Sequence, residues 1–138
     1  MSDSLIPTQL IHKERGVIID LEFGVVRVLM NDFVYRTIKM GKRERELLLL
    51  LARKRGSLIS KDDMLTNVWK NSVVGENTVV VALSNIRKML KKADEECLCL
   101  ITISGKGYVF YPERSGFSVE TKSQKEGPFP QGEIVNVL

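Results

Sequence analysis

Between residues 9 and 39 the apolar side chains come in short runs rich in Val, Ile and Phe, broken at Arg15-Gly16, Phe23-Gly24 and Asn31-Asp32. Such runs predict strands over 9–12, 17–23, 25–30 and 33–39, paired as a small antiparallel sheet. The second run alternates Val17, Ile19, Leu21 and Phe23 with Ile18, Asp20 and Glu22, which predicts one apolar face and one mostly wet face. From residue 42 the period becomes helical. Leu47, Leu48, Leu50 and Leu51 form a broad inward face over 42–54, with Arg43, Arg45, Arg53 and Lys54 outside and Gly56 as the stop. The leucine run has no heptad continuation, so it is read as core and not as a zipper.

A second helix is expected after Ser60, which has the chemistry of an N-cap, with Asp63 at the capping-box position. Met64, Leu65, Val68 and Trp69 supply its inward face, Trp69 as a core anchor. Lys70 to Glu76 reads as a loop, and a third helix follows over 77–91. At 100° per residue Val79, Leu83, Ile86 and Leu90 fall on one stripe. The opposite face carries Asn77, Val81, Ser84 and Lys88, flanked by Val80, Asn85 and Lys91, and has no carboxylate after Glu76. Val79, Val80 and Val81 are β-branched, each costing a helix roughly 0.5 kcal/mol relative to alanine. A hairpin over 73–83 is therefore the competing reading, against which the helical register of Ile86 and Leu90 argues.

Asp94, Glu95 and Glu96 mark an exposed connection. Two strands are expected over 98–103 and 108–111, around the turn Ser104-Gly105-Lys106-Gly107. That turn lacks the Walker spacing and a following helix, so it is not a phosphate loop of the nucleotide-binding kind. Beyond Pro112 the composition shifts to Glu, Lys, Ser, Gly and Pro, which reads as a linker or tail over 113–138. The segment 1–8 reads as an N-terminal extension and 9–112 as the folded domain.

Charge sharpens this picture. The chain of 138 residues has a formal net charge of +4. Residues 113–138 hold Glu113, Glu120, Glu126 and Glu133 against Arg114, Lys122 and Lys125, so the basic excess belongs to the folded part. Its local form, Arg87, Lys88, Lys91 and Lys92 without an intervening acid, suits a polyanion. Amides and hydroxyls on the same helix face can bond phosphates or base edges, and an exposed valine can touch a thymine methyl in a major groove.

Other chemistry is sparse. Cys97 and Cys99, the only cysteines, are expected on one face of a strand, a spacing that rarely forms a structural disulfide, and no CxxC pair offers a zinc site. A reducing, cytoplasmic setting is the expectation, and neither a signal peptide nor a membrane span is apparent. His12 is the sole histidine and reads as structural or merely exposed. No paired carboxylates and no nucleophile with a base recur. An enzyme is therefore not expected, nor a cofactor, a metal or a small-molecule substrate.

The order of sheet, helix, helix, loop, basic helix and hairpin resembles the OmpR/PhoB-type winged helix-turn-helix, with the ToxR/CadC-like branch nearest. The resemblance covers residues of about 10 to 112. It rests on Glu44 and Leu47-Leu48, on 58–65 (LISKDDML) with Val68-Trp69, on 83–90 (LSNIRKML), and on Ile103 with Gly107-Tyr108. It implies an α+β fold: an N-terminal antiparallel sheet, three helices and a C-terminal β-hairpin wing.

It also implies a bacterial transcription regulator, an activator, that places helix 77–91 in the major groove of double-stranded promoter DNA and the 102–108 wing at the adjacent minor groove. Carried over by position, the groove-facing residues are Val80, Val81, Ser84 and Asn85. Phosphate contacts fall to Thr78, Arg87, Lys88 and Thr102, with Lys91 beside them, and the wing contact falls to Lys106. The loop containing Lys70, Asn71, Ser72 and Val73 corresponds to one that meets RNA polymerase in some members.

Where relatives often carry acidic, amide, histidine or arginine side chains on the reading face, this chain has Val, Val, Ser and Asn, and Ser104 stands where a wing arginine is common. Direct readout is therefore expected to be thin, with DNA shape contributing and with repeated sites, a dimer or a co-regulator making up specificity. No receiver domain precedes the expected winged helix, so the switch is expected elsewhere, and 113–138 would suit a linker to a membrane span. The competing class is a winged-helix module that holds a protein partner through an apolar patch at Val80 and Val81.

Overall fold

The computed structural model describes residues 5–70 and 73–123. Four strands open the chain, β1 (Leu5–His12), β2 (Val17–Asp20), β3 (Val25–Asn31) and β4 (Val34–Lys39). Then come α1 (Lys42–Arg53), a short β5 (Leu58–Ile59), α2 (Lys61–Val68) and α3 (Glu76–Leu90). The hairpin β6 (Leu100–Ile103) and β7 (Gly107–Phe110), a 3-10 turn at Pro112–Ser115 and β8 (Ser118–Ser123) complete the described residues. One sheet has the order β4-β3-β2-β1-β8 and the other β5-β7-β6, with every pairing antiparallel.

The three helices pack between these sheets. Leu47, Leu48 and Leu51 from α1, Met64 from α2, Leu83, Ile86 and Leu90 from α3 and Phe110 from β7 are essentially removed from water. Each such side chain contributes roughly 1.5–3 kcal/mol. Trp69 caps the C-terminus of α2 and is 5% exposed, a core anchor as its isolation in the sequence predicts.

The helix starts are built as the local sequence dictates. Ser60 Oγ accepts the Asp63 N–H at 3.0 Å at the head of α2. Glu44 Oε1 accepts the Gly41 N–H at 3.2 Å at the head of α1. His12 is a buried structural residue: its Nδ1 accepts the Arg15 N–H at 3.1 Å, and its ring meets Phe117 edge to face.

Three expectations need correction. First, β2 ends at Asp20 and does not run on to Phe23. The Asp20 carboxylate, only 3% exposed, accepts the Glu22 and Phe23 N–H groups at 2.9 Å each and folds the chain into a turn. Phe23 is thrown outward, 76% exposed, so the alternation of faces fails at the turn.

Second, β6 begins at Leu100, because the stretch before it is bent at Cys97 (φ 51°) and is not extended. Third, the segment from 113, expected as a linker, belongs to the fold as far as Ser123. β8 pairs with β1 in the register Leu10↔Val119 and Ile11↔Ser118, and Phe117 is buried with the core. The domain is therefore wider than 9–112 at both ends, since β1 starts at Leu5 and β8 ends at Ser123. The remainder of the expected linker lies outside the described residues.

Candidate nucleic-acid interface

The helix over residues 76–90 forms despite three adjacent valines because its inward stripe is paid for by packing: Val79, Leu83, Ile86 and Leu90 are at most 1% exposed. The hairpin alternative over 73–83 is overturned. The burial of that stripe turns the other face outward. Val80 and Val81 are 41% and 52% exposed, and Asn77, Ser84, Lys88, Lys91 and Lys92 are exposed beside them. Thr78 is half-buried.

Two residues assigned to DNA are held from inside the protein. Asn85 Nδ2 donates to Glu44 Oε2 at 2.5 Å, so the carboxylate that caps α1 also grips α3. Arg87 Nη2 donates to Thr102 Oγ1 at 2.8 Å and to the Leu100 carbonyl at 3.2 Å, and its guanidinium lies 5.7 Å from the centre of the Tyr108 ring. Arg87 therefore ties α3 to the wing strands. The roles of Glu44 and Tyr108 as holders of Asn85 and Arg87 were not legible locally. Glu44 stood in the sequence only among the residues that carry the family resemblance, and its second partner comes 41 residues later.

The wing stands on β5. Gly107 has φ 148°, and a Cβ there would overlap the Ile59 carbonyl, so glycine lets β7 cross against β5. The wing, the head of α2 and the head of α3 enclose a cleft of about 340 Å³, lined among others by Ser60, Lys61, Glu76, Thr102 and Lys106. Lys61 faces Glu76 across it at 3.8 Å. Lys106 is exposed at the wing tip, and Thr102 is exposed along its strand. In the 70–76 loop Lys70 is exposed and Val73 stands fully in solvent, while Asn71 and Ser72 lie outside the described residues.

Among the described residues no group of three or more His, Cys, Asp or Glu is placed to hold a metal ion. No helix among them is long and apolar enough to cross a membrane.

These features define a winged helix-turn-helix whose third helix turns a basic face outward. Residues 35–110 match the family described as "Transcriptional regulatory protein, C terminal", and the chain belongs to that family of OmpR/PhoB-type DNA-binding domains. It is therefore a DNA-binding transcription regulator domain of a family that is not one of enzymes.

Among its relatives, the transcriptional activator CadC of Escherichia coli is 30% identical over 103 residues, covering 70% of this chain and 20% of that protein. The response regulator SaeR of Staphylococcus epidermidis is 40% identical over 79 residues, 56% of this chain and 34% of that protein. The cholera toxin transcriptional activator of Vibrio cholerae is 32% identical over 73 residues, 51% of this chain and 25% of that protein. The chain thus spans about a fifth to a third of the length of these relatives.

In structure it is similar to the DNA-binding domain of E. coli CadC, with a TM-score of 0.61 at 22% identity over 86% of this chain and 98% of that one. It is also similar to the Klebsiella pneumoniae RstA DNA-binding domain in complex with the RstA box, with a TM-score of 0.53 at 24% identity over 70% and 92%. Both likenesses are of fold.

Proposed function

We propose that this domain binds double-stranded promoter DNA with α3 in the major groove and the wing tip at the neighbouring minor groove, and that the protein carrying it activates transcription. The observation that carries the reading is the outer face of α3. Packing turns Val80, Val81, Ser84, Lys88 and Lys91 outward together, with no acid among them after Glu76. Lys88 and Lys91 neutralise phosphates, Val80 and Val81 meet thymine methyls, and Lys106 enters from the wing. Thr78 and Thr102 offer hydroxyls to the backbone.

Because Asn85 is engaged by Glu44, the reading face offers few hydrogen-bonding groups, which supports modest intrinsic specificity. A second copy or a co-regulator supplies the rest. The exposed Lys70 and Val73 support a contact from the loop to RNA polymerase.

The test is a fluorescence-anisotropy titration of an AT-rich and a scrambled GC-rich duplex at two salt concentrations. The expected outcome is binding that weakens steeply with salt and favours one duplex. Absence of binding to either at low salt would move the weight to a protein-binding role for the Val80 and Val81 patch.

A further inference from the structure

The outer face of α1 carries chemistry that DNA docking leaves unused. Leu47, Leu48 and Leu51 are buried in the core, and that packing turns Lys42, Glu46, Leu49, Leu50 and Arg53 to the other side as one helical stripe. Two adjoining clefts of about 540 and 860 Å³ lie along it and share Leu50, Arg53 and Asn67 in their walls. The first runs between α1 and the C-terminal end of α2. The second continues past the end of α1 to Leu58 of β5, Leu5 of β1 and Thr121 of β8. No residue of either lines the cleft under the wing.

Charge is concentrated here. Lys42, Arg43, Arg53, Lys54, Arg55 and Lys70 line the two clefts against Glu46 and Asp63, an excess equal to the +4 of the whole chain. Two of these cations are engaged within the protein. Arg43 donates to Glu46 Oε1 and to the Val68 carbonyl at 3.0 Å each, and Arg55 donates to the Ala52 carbonyl at 2.7 Å. The side chains of Lys42, Arg53, Lys54 and Lys70 have no hydrogen bond or ion pair among the described residues.

Cations that only meet water need no apolar floor between them. Here Leu49 and Leu50 are half-buried, and Leu58 and Leu5 are 50% and 46% exposed, among the positive groups. An apolar centre with a rim of arginine and lysine is the anatomy of a protein interface. A phosphate backbone would use the rim and leave the leucines in water, and a flat lipid surface does not follow a concave wall. The walls of the first cleft are helices whose backbone groups are already bonded, so an occupant must satisfy its own backbone. From Lys42 to Arg53 the cleft follows α1 for roughly 16 Å, about three helical turns.

We propose that this face holds an acidic amphipathic helix of a partner protein, with its apolar side on Leu49, Leu50 and Leu58 and its carboxylates on Lys42, Arg53, Lys54 and Lys70. The face lies on the side of α1 turned away from the core into which α3 packs, so DNA and partner can be held at once. The inference does not rest on the DNA-binding reading.

The test is a fluorescence-anisotropy titration of a labelled helical peptide of about 18 residues, with leucines spaced at i, i+3, i+4 and i+7 and glutamates elsewhere. The expected result is saturable binding that weakens at least about tenfold when glutamines replace the glutamates. The double variant Arg53→Ala, Lys54→Ala should weaken it by about the same factor, and Lys39→Ala on the far edge of the sheet should leave it unchanged. Leu58→Ser should weaken it with no change of charge. If the Leu58 variant fails to fold, the exposed Arg53 and Lys54 decide alone.

In parallel, the double alanine variant should keep its affinity for a DNA duplex within about twofold of the wild type. A wild-type chain that binds no duplex defeats the proposed function and leaves the peptide to judge this inference. No peptide binding, or binding that the two alanines leave unchanged, would overturn it. So would tighter binding of phosphatidylserine vesicles through the same residues, or a loss of DNA affinity in the alanine variant as large as in Lys88→Ala. Peptide binding that appears only in a chain cut after Ser123 would also overturn it, by assigning the cleft to the chain's own residues 124–138.

Discussion

Arg87 on α3 and Thr102 on β6 are joined by a 2.8 Å hydrogen bond from Nη2 to Oγ1, so α3 and the wing share one guanidinium. Thr102→Val keeps the shape of the strand and removes the acceptor. It should cost about 1 kcal/mol in thermal or urea unfolding and speed amide exchange in the wing. Arg87→Lys should cost more, since an ammonium cannot span two acceptors while lying over the Tyr108 ring. Unchanged wing exchange in Thr102→Val would mean that this bond does not restrain the wing.

Asn85 and its neighbours on α3 separate structural from reading roles. Asn85→Ala leaves one oxygen of Glu44 without its amide and should lower stability by about 1 kcal/mol while shifting base preference little. Lys88→Ala should leave stability unchanged, weaken binding to all duplexes and reduce the salt slope by about 1. Val81→Ala should act only at particular base pairs. Equal behaviour of the Lys88 and Val81 variants across a panel of duplexes would sink this division.

A chain cut after Pro112, where the composition shifts, should be much less stable than one cut after Ser123. The shorter chain loses β8 and Phe117, which is 3% exposed, and uncovers the edge of β1. Loss of a core phenylalanine alone costs about 3–5 kcal/mol. Matching urea midpoints for the two chains would show that β8 adds nothing.

Asp94 predicts an acid limb. Hydrogen bonding from Ser115, and then from the Leu98 amide, holds its carboxyl below the ordinary value of 3.8. A depressed folded pKa means that the stability it contributes is complete above the unfolded value and is lost as pH falls through the folded one. Asp94→Asn should therefore be less stable at neutral pH and should converge on the wild type below about pH 4. Curves of urea midpoint against pH that stay parallel would rule out this role.

The pattern of residues alone determined the helices, the inward stripe of α3 and its basic outer face, because amphipathic periodicity is a local property that burial only ratifies. Val79, Leu83, Ile86 and Leu90 lie buried where their spacing put them. Asp20, Glu44, Arg87 and Cys97 were decided by tertiary structure. Asp20 looked solvent-facing until a turn needed a buried acceptor, and Arg87 gained its ties to Thr102 and Tyr108 only when folding brought the wing against α3.

β8 makes the same point at the scale of an element. Its polar composition resembles a linker, and it becomes a strand because β1 presents an unpaired edge more than 100 residues earlier in the chain. Hydrogen bonds to a distant edge depend on backbone geometry and leave little trace in the side chains.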